Sequence, residues 1–492
     1  MCGIVGVLSK SHSFNKSQVR GMLNKISHRG PDDEGVVAIS TKNNKVKDSL
    51  ADLYLGHRRL SILDLSSLGH QPMPTTDKKL WITYNGEIFN FIEIRNILIN
   101  KGYKFISNTD TEVVLNAYRE YGRDCLKMFR GFFAFCIYDF EKKELFLARD
   151  RLGSKPLRYY FDGNLFSFSS EIKALLEIES IDKSLDYFSI SQYLSLKYIP
   201  APNTIFKSIK KLPAGSYLVF DIRKNNFVIN KYWEPEFEPK VDISYDEAKQ
   251  KTQEILKDSV NIRMISDVPV GVLLSGGVDS SSIVASLSEQ TSQINTFSVG
   301  FSDSKFDERS FSRRIAKQFN TNHHEFVVEP DLNLDLEKII CNFDEPFADS
   351  SQVPTYLLCK AAKKEVTVAL SGDAGDEIFG GYNRYIWTQK IWNNLSVIPY
   401  PLRNFLSKSA LKISESSLSK LDAIIHVKRS GQKIHKSAKS IENINSNHDL
   451  FKNIVVKNLK TNVYIYSAIS FIISVSILFC SNGFTLADSA LV

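Results

Sequence analysis

MCGIVGV, residues 1–7, decides how the first half of this chain is read. Gly3 to Val7 is a run of small and β-branched residues that predicts a strand, with Cys2 just ahead of it. Removal of Met1 would leave a thiol and a free α-amine on the same residue. An amine with an ordinary pKa of about 8 can take the thiol proton directly or through one water, so such a residue is a nucleophile with its own base. Alone, the stretch reads better as a small buried cysteine opening an edge strand. The decision rests on four motifs further along the chain.

Those motifs are HRGPDDEG (His28 to Gly35), GHRRLSILDL (Gly56 to Leu65), YNGEIFNF (Tyr84 to Phe91) and NTDTE (Asn108 to Glu112). With Cys2 they resemble, in order, the glutaminase domain of class II (N-terminal nucleophile) glutamine amidotransferases. Thiolate attack on a side-chain amide builds an oxyanion that needs preorganised donors, and a free amino acid needs both charged ends held. The resemblance implies Cys2, Asn85 and Gly86 as catalytic residues. It implies Arg59, Leu60, Ser61, Asn85, Gly86, Glu87 and Asp110 as the glutamine site, with Arg59 on the α-carboxylate and Asp110, helped by Glu87, on the α-ammonium.

A second chemical centre lies downstream. Val268 to Leu274 is an apolar run ending in SGGVDSS (Ser275 to Ser281), followed by a helical pattern through Leu287. A strand feeding a glycine-rich loop at a helix start forms an anion cradle. The GxxxxGK[ST] spacing is absent, and no lysine follows Gly277 to reach a terminal phosphate. The loop resembles that of ATP pyrophosphatases, which implies ATP at Leu274, Ser275, Gly276, Gly277, Asp279 and Ser280, with Asp279 on magnesium. A serine-capped helix with Asp in its first turn is the lesser, purely structural alternative. A parallel pattern recurs at Val366 to Leu370 and SGDAGDEIFGGYNRY (Ser371 to Tyr385), which adds Ser371 and Gly372 to the ATP site and Asp376 as a second magnesium ligand. Thr296 to Phe301 reads as a strand, and the resemblance implies that its Val299 backbone meets adenine. The resemblance also implies Glu345, in DEPFADSSQVPTYLL (Asp344 to Leu358), as a base for attacking ammonia, although a Pro-bounded acidic turn reads DEP equally well.

Taken together, residues 1 to about 390 resemble glutamine-hydrolysing asparagine synthetases. The resemblance implies an α+β N-terminal-nucleophile glutaminase sandwich, followed by an α/β ATP-pyrophosphatase domain with a mostly parallel sheet. It implies glutamine, aspartate and ATP as substrates, magnesium with ATP, β-aspartyl-AMP as the intermediate, and AMP and pyrophosphate as products; a homodimer stays open. The expected division is a glutaminase domain at 1–230, a linker at 231–245 punctuated by Pro235 and Pro239, a synthetase domain at 246–460, and an atypical apolar tail at 461–492. Two other readings stay open: an amidotransferase acting on a carboxylate other than that of aspartate, such as a sugar acid, and a truncated chain retaining only glutaminase activity.

A chain of 492 residues with 43% hydrophobic content predicts more than one core. The six cysteines, at 2, 125, 136, 341, 359 and 480, show no paired spacing, and the first residues carry no secretory leader pattern; both fit a reduced cytoplasm. No CxxC or HExxH spacing asks for zinc. Residues 393–492 hold 12 Lys/Arg against 5 Asp/Glu, the whole of the chain's net +7. Without interleaved aromatics or an RNA-binding motif, this excess does not read as a nucleic-acid surface. Val463 to Phe479 is an uncharged run of 17 residues after Lys457 and Lys460, at the lower limit of a membrane span; with its four serines it fits a buried helix or strand pair better. The YLPDD-like motif and pyrophosphate lysine that the family resemblance implies are not found in this sequence, which gives an expectation of weak coupled synthesis.

Overall fold

A computed structural model of the chain describes residues 1–10, 14–43, 45–47, 50–291, 293–300, 307–327, 338–349, 351–414, 417 and 430–455. The apolar run at 463–479 lies outside them. Among the described residues no helix is long and apolar enough to cross a membrane. The described chain forms two compact units, one within 1–190 and 199–371, the other within 191–198 and 372–455.

Strands β1 (Gly3–Ser9), β2 (Asp33–Ser40), β3 (Lys45–Lys47), β4 (Leu53–Arg59), β5 (Met73–Pro74), β6 (Leu80–Ile88), β7 (Gly131–Asp139), β8 (Glu144–Arg149), β9 (Arg158–Phe161), β10 (Leu165–Ser169), β11 (Ile209–Lys211), β12 (Ser216–Asp221) and β13 (Asn226–Lys231) build two antiparallel sheets. Their orders are β11-β9-β10-β1-β4-β2-β3 and β13-β12-β8-β7-β6-β5.

The period of two along β7 explains the layering. Ala134, Cys136 and Tyr138 face Ile4, Leu53 and Leu55 of the first sheet in one core, while Phe133, Phe135 and Ile137 join Ile94, Leu98, Val114 and Tyr118 in the other. Those last four lie on the helices Phe91–Asn100 and Asp110–Tyr121. A strand buried on both faces reads as the nearly continuous apolar run seen in FFAFCIY.

Tyr232 to Ser244 carries no helix or strand, and Ser244 then caps the helix Tyr245–Ile262 with a reciprocal Ser244–Glu247 capping box. The third sheet, of β14 (Val270–Leu273), β15 (Asn295–Gly300), β16 (Asn322–Val327) and β17 (Val368–Leu370), is all parallel in the order β16-β15-β14-β17. Val260, Val272, Ile283 and Leu287 pack on one face, and Phe297, Leu358 and Ala362 on the other, the arrangement of an open α/β sheet. The strand order reverses between β14 and β17, so the ligand crevice of such a sheet lies beyond the carboxyl ends of those two strands.

Candidate active site

Strand pairing accounts for the first site. Gly3 opposes Arg58 across β1 and β4, which brings Cys2 beside the residues just past β4. The Leu60 N–H donates to Cys2 Sγ at 3.4 Å, and the thiol donates to Leu60 O at 3.6 Å. Arg29 Nε donates to the Cys2 carbonyl at 2.9 Å. One pocket of about 540 Å³, open solvent at its mouth included, is lined by Cys2 together with Arg59, Leu60, Asn85, Gly86, Glu87 and Asp110. Of the residues expected to bind glutamine, Ser61 alone does not line it; its N–H donates to Asp32 at 2.8 Å.

Each lining group has a recognisable state. Asn85 is buried on β6 with neither its amide nitrogen nor its amide oxygen hydrogen-bonded, an arrangement that costs roughly 1–3 kcal/mol per unmet group unless a ligand completes it. Asp110, in the first turn of its helix under the Thr109 cap, accepts from Tyr84 Oη at 2.6 Å and from the Ile88 N–H at 2.9 Å; burial nevertheless pushes its carboxyl up to about 6. Burial and the Asp110 charge raise Glu87 to about 7. Both carboxyls are held above their ordinary range, and a cation arriving beside them would favour the charged form of each.

Arg59 donates Nη1 to Ser66 O at 3.0 Å, and Nη2 to Leu63 O at 3.2 Å and Asp64 O at 2.5 Å, so its guanidinium also shapes the wall formed by 63–66. Its path crosses Gly69, where an added Cβ would sit 1.8 Å from Nη2.

Burial raises the Cys2 thiol, while the Leu60 N–H, the terminal amine and the Lys155 ammonium pull it down. With Met1 in place, burial lowers its amine to about 6, a direction that favours a neutral amine at this place. Lys155 and Gln71 line the pocket and were not singled out from the sequence. Lys155 stands in ARDRLGSKPLRYY (148–160), where a lysine between Ser154 and Pro156 reads as a solvated loop charge; burial lowers its pKa, and Glu87 raises it. Gln71 accepts from the Tyr84 N–H at 2.8 Å and donates to Thr111 at 3.2 Å, fixing the backbone next to Asn85.

At the second centre, Ser275 to Ser280 follow β14 and Ser371 follows β17, on either side of the point where the strand order reverses. Ser275 and Ser280 face each other, Oγ to Oγ, at 3.1 Å, and the Gly277 N–H donates to Ser275 Oγ at 3.3 Å. Gly276 adopts φ +84°, and an added Cβ would lie 2.6 Å from the Phe311 carbonyl carbon; only glycine fits. Asp279 occupies the first turn of the helix Val278–Ser288, Leu274 is buried beneath the loop, and Val299 lies on β15. Gly372 and Asp376 belong to the second unit, with Asp376 in the first turn of the helix Gly375–Phe379. Among the described residues no cluster of three or more His, Cys, Asp or Glu side chains forms a ready metal cage. Glu345 accepts from the Ile205 N–H at 3.3 Å and pairs with Lys211, so its carboxylate is committed and would have to leave that pair to act as a base.

Residues 1–233 match the glutamine amidotransferase domain family, and residues 251–462 match the asparagine synthase family. A relative from Methanocaldococcus jannaschii, provisionally named glutamine-hydrolysing asparagine synthetase 2, is 41% identical over 408 residues, covering 78% of this chain and 76% of its own length. This chain belongs to the glutamine-hydrolysing asparagine synthetase family. Two Bacillus subtilis members, asparagine synthetases 1 and 3, are 39% and 34% identical over 78% of this chain. The chain spans 59% and 63% of their lengths.

Proposed function

We propose that this family member makes asparagine from aspartate with nitrogen taken from glutamine. The observation that carries the reading is the single pocket holding Cys2, the unpartnered Asn85 amide and the Asp110–Glu87 carboxyls, which together offer a nucleophile, an oxyanion donor and an ammonium site. With Met1 removed, the Cys2 α-amine takes the thiol proton, and sulfur attacks the glutamine side-chain carbonyl carbon. The Asn85 amide and the Gly86 N–H receive the developing oxyanion. The same amine returns its proton to the departing nitrogen. Ammonia leaves, and water cleaves the thioester to release glutamate and restore the thiol.

At the second centre the Ser275–Ser280 loop holds ATP while the aspartate β-carboxylate attacks the α-phosphorus and displaces pyrophosphate. Magnesium held through Asp279 would supply positive charge to the phosphates. Ammonia then displaces AMP from the acyl carbon. Closure against water matters because free ammonia protonates and the adenylate hydrolyses.

The test uses the purified full chain with Mg-ATP and aspartate, given glutamine in one arm and ammonium in the other. Asparagine, AMP and pyrophosphate are expected in both arms. Cys2→Ala is expected to lose the glutamine arm, by about 10³-fold or more, and to keep the ammonium arm. ADP as product, or AMP release indifferent to aspartate, would overturn the reading.

A further inference from the structure

A second polar network reaches Cys2 from behind the pocket. Glu171, buried between β10 and the short helix Ile172–Leu175, accepts from Arg29 Nη1 at 2.6 Å, and its Oε1 lies 3.1 Å from His28 Nε2. Its other oxygen lies 3.2 Å from Lys173 Nζ. Burial opposes the charge on Glu171, but the His28 hydrogen bond and the Arg29 and Lys173 charges overcome it and keep the carboxyl below its ordinary range. Lys173 Nζ also donates to the carbonyls of Cys341 at 3.1 Å and Asn342 at 3.3 Å. Asp344 is half-buried against the same turn and accepts from the N–H groups of Ile172 at 2.6 Å and Lys173 at 3.2 Å. The segment 341–345 thus sits on 171–173, and Arg29, which shares Glu171 with His28 and Lys173, holds the Cys2 carbonyl.

We propose that Glu171 and Lys173 are positioning residues through which the seating of segment 341–345 sets the place of the Cys2 nucleophile. The inference rests on the glutaminase reading of Cys2 and adds a route by which the synthetase-matched region governs that site. The physical reason is shared support of one buried carboxylate. When 341–345 is seated, Lys173 donates to two of its carbonyls, which holds the ammonium in ion-pair contact with Glu171 Oε2 while Arg29 keeps its bond to Oε1. When the segment lifts, Lys173 loses both carbonyls and leaves Oε2, Glu171 leans on Arg29 alone, and the Arg29 hold on the Cys2 carbonyl slackens. Buried charges respond to a lost partner by rearranging, because leaving a charge unpaired is costly.

The full chain carrying Lys173→Met, Asp344→Asn, or both tests this. Each single variant should lower the glutaminase kcat by about tenfold with little change in KM for glutamine, and should slow iodoacetamide labelling of the Cys2 peptide, followed by mass spectrometry. Lys173→Arg should restore most of the loss. The double variant should be no slower than the worse single one, because both act through Glu171. Unchanged kcat and labelling in folded single variants, or losses that multiply in the double, would overturn the proposal. If a variant fails to fold by thermal unfolding, the Lys173→Arg comparison decides: kcat and labelling like the parent's support the positioning role only alongside a loss in Asp344→Asn, and no loss in either overturns it. A parent chain without glutaminase activity would instead refute the underlying reading of Cys2.

Discussion

Cys2 Sγ lies 3.4 Å from the backbone nitrogen of Leu60, the first residue beyond β4. That N–H is engaged with the sulfur and is therefore not spare for an oxyanion. In the proposed reaction the donors for the developing charge come from the opposite sheet, where β6 carries Asn85 and Gly86. On that proposal one sheet holds the nucleophile and the other receives the charge, and each half can be perturbed by itself.

Asn85→Ala should reduce the glutaminase kcat by about 10²–10³-fold with a small effect on KM, the signature of a donor that binds only the transition state. Because the amide is buried without a partner, its removal should leave the thermal midpoint unchanged or higher. Steady-state kinetics and a melting curve on one preparation check both halves.

The glutaminase kcat/KM should fall as pH drops through about 7. Burial and the Asp110 charge hold Glu87 at about 7, so below that pH it is protonated and the ammonium site has lost a negative charge. The sign for stability is opposite to the usual carboxylate case: a raised folded pKa favours the folded state at low pH, and that contribution is lost as pH rises from 4.5 through about 7. Glu87→Gln should remove this limb of the kcat/KM profile. A profile unchanged by the substitution would assign the limb to another group.

Gly276→Ala should cut aspartate-dependent AMP release by about 10²-fold, since the loop would have to abandon both its left-handed turn and its approach to the Phe311 backbone. Glutamine hydrolysis should stay within about twofold of the parent. Parallel assays of AMP and glutamate resolve the two.

Much of the architecture was legible because periodicity survives in one dimension. The run at Gly3 to Val7 became β1, the run at Val268 to Leu274 became the strand that launches the Ser275 loop, and the runs opening at Thr296 and Val366 fall on β15 and β17. The candidate site was legible only as an ordered set of motifs, since nothing in spacing tells that β1, β4 and β6 end around one cavity. Lys155 escaped notice because a loop lysine looks solvated until its neighbours bury it. Arg59 had a second duty, to the 63–66 carbonyls, that depends on how that loop folds back. Glu345 was read for its local DEP context, whereas its partner Ile205 is 140 residues away in sequence.

Met1 is part of the wall beside Cys2, and its amine is buried there. While that residue stays attached, the nitrogen of Cys2 is an amide with no basic lone pair, so on the proposed mechanism the glutaminase would be locked. An aminopeptidase cut between Met1 and Cys2 would open it, nothing in that mechanism closes it again, and the cut would act as a one-way timer on ammonia release. A purification tag fused ahead of Met1 would keep the lock shut in every molecule, and the preparation would pass for an ammonia-only enzyme.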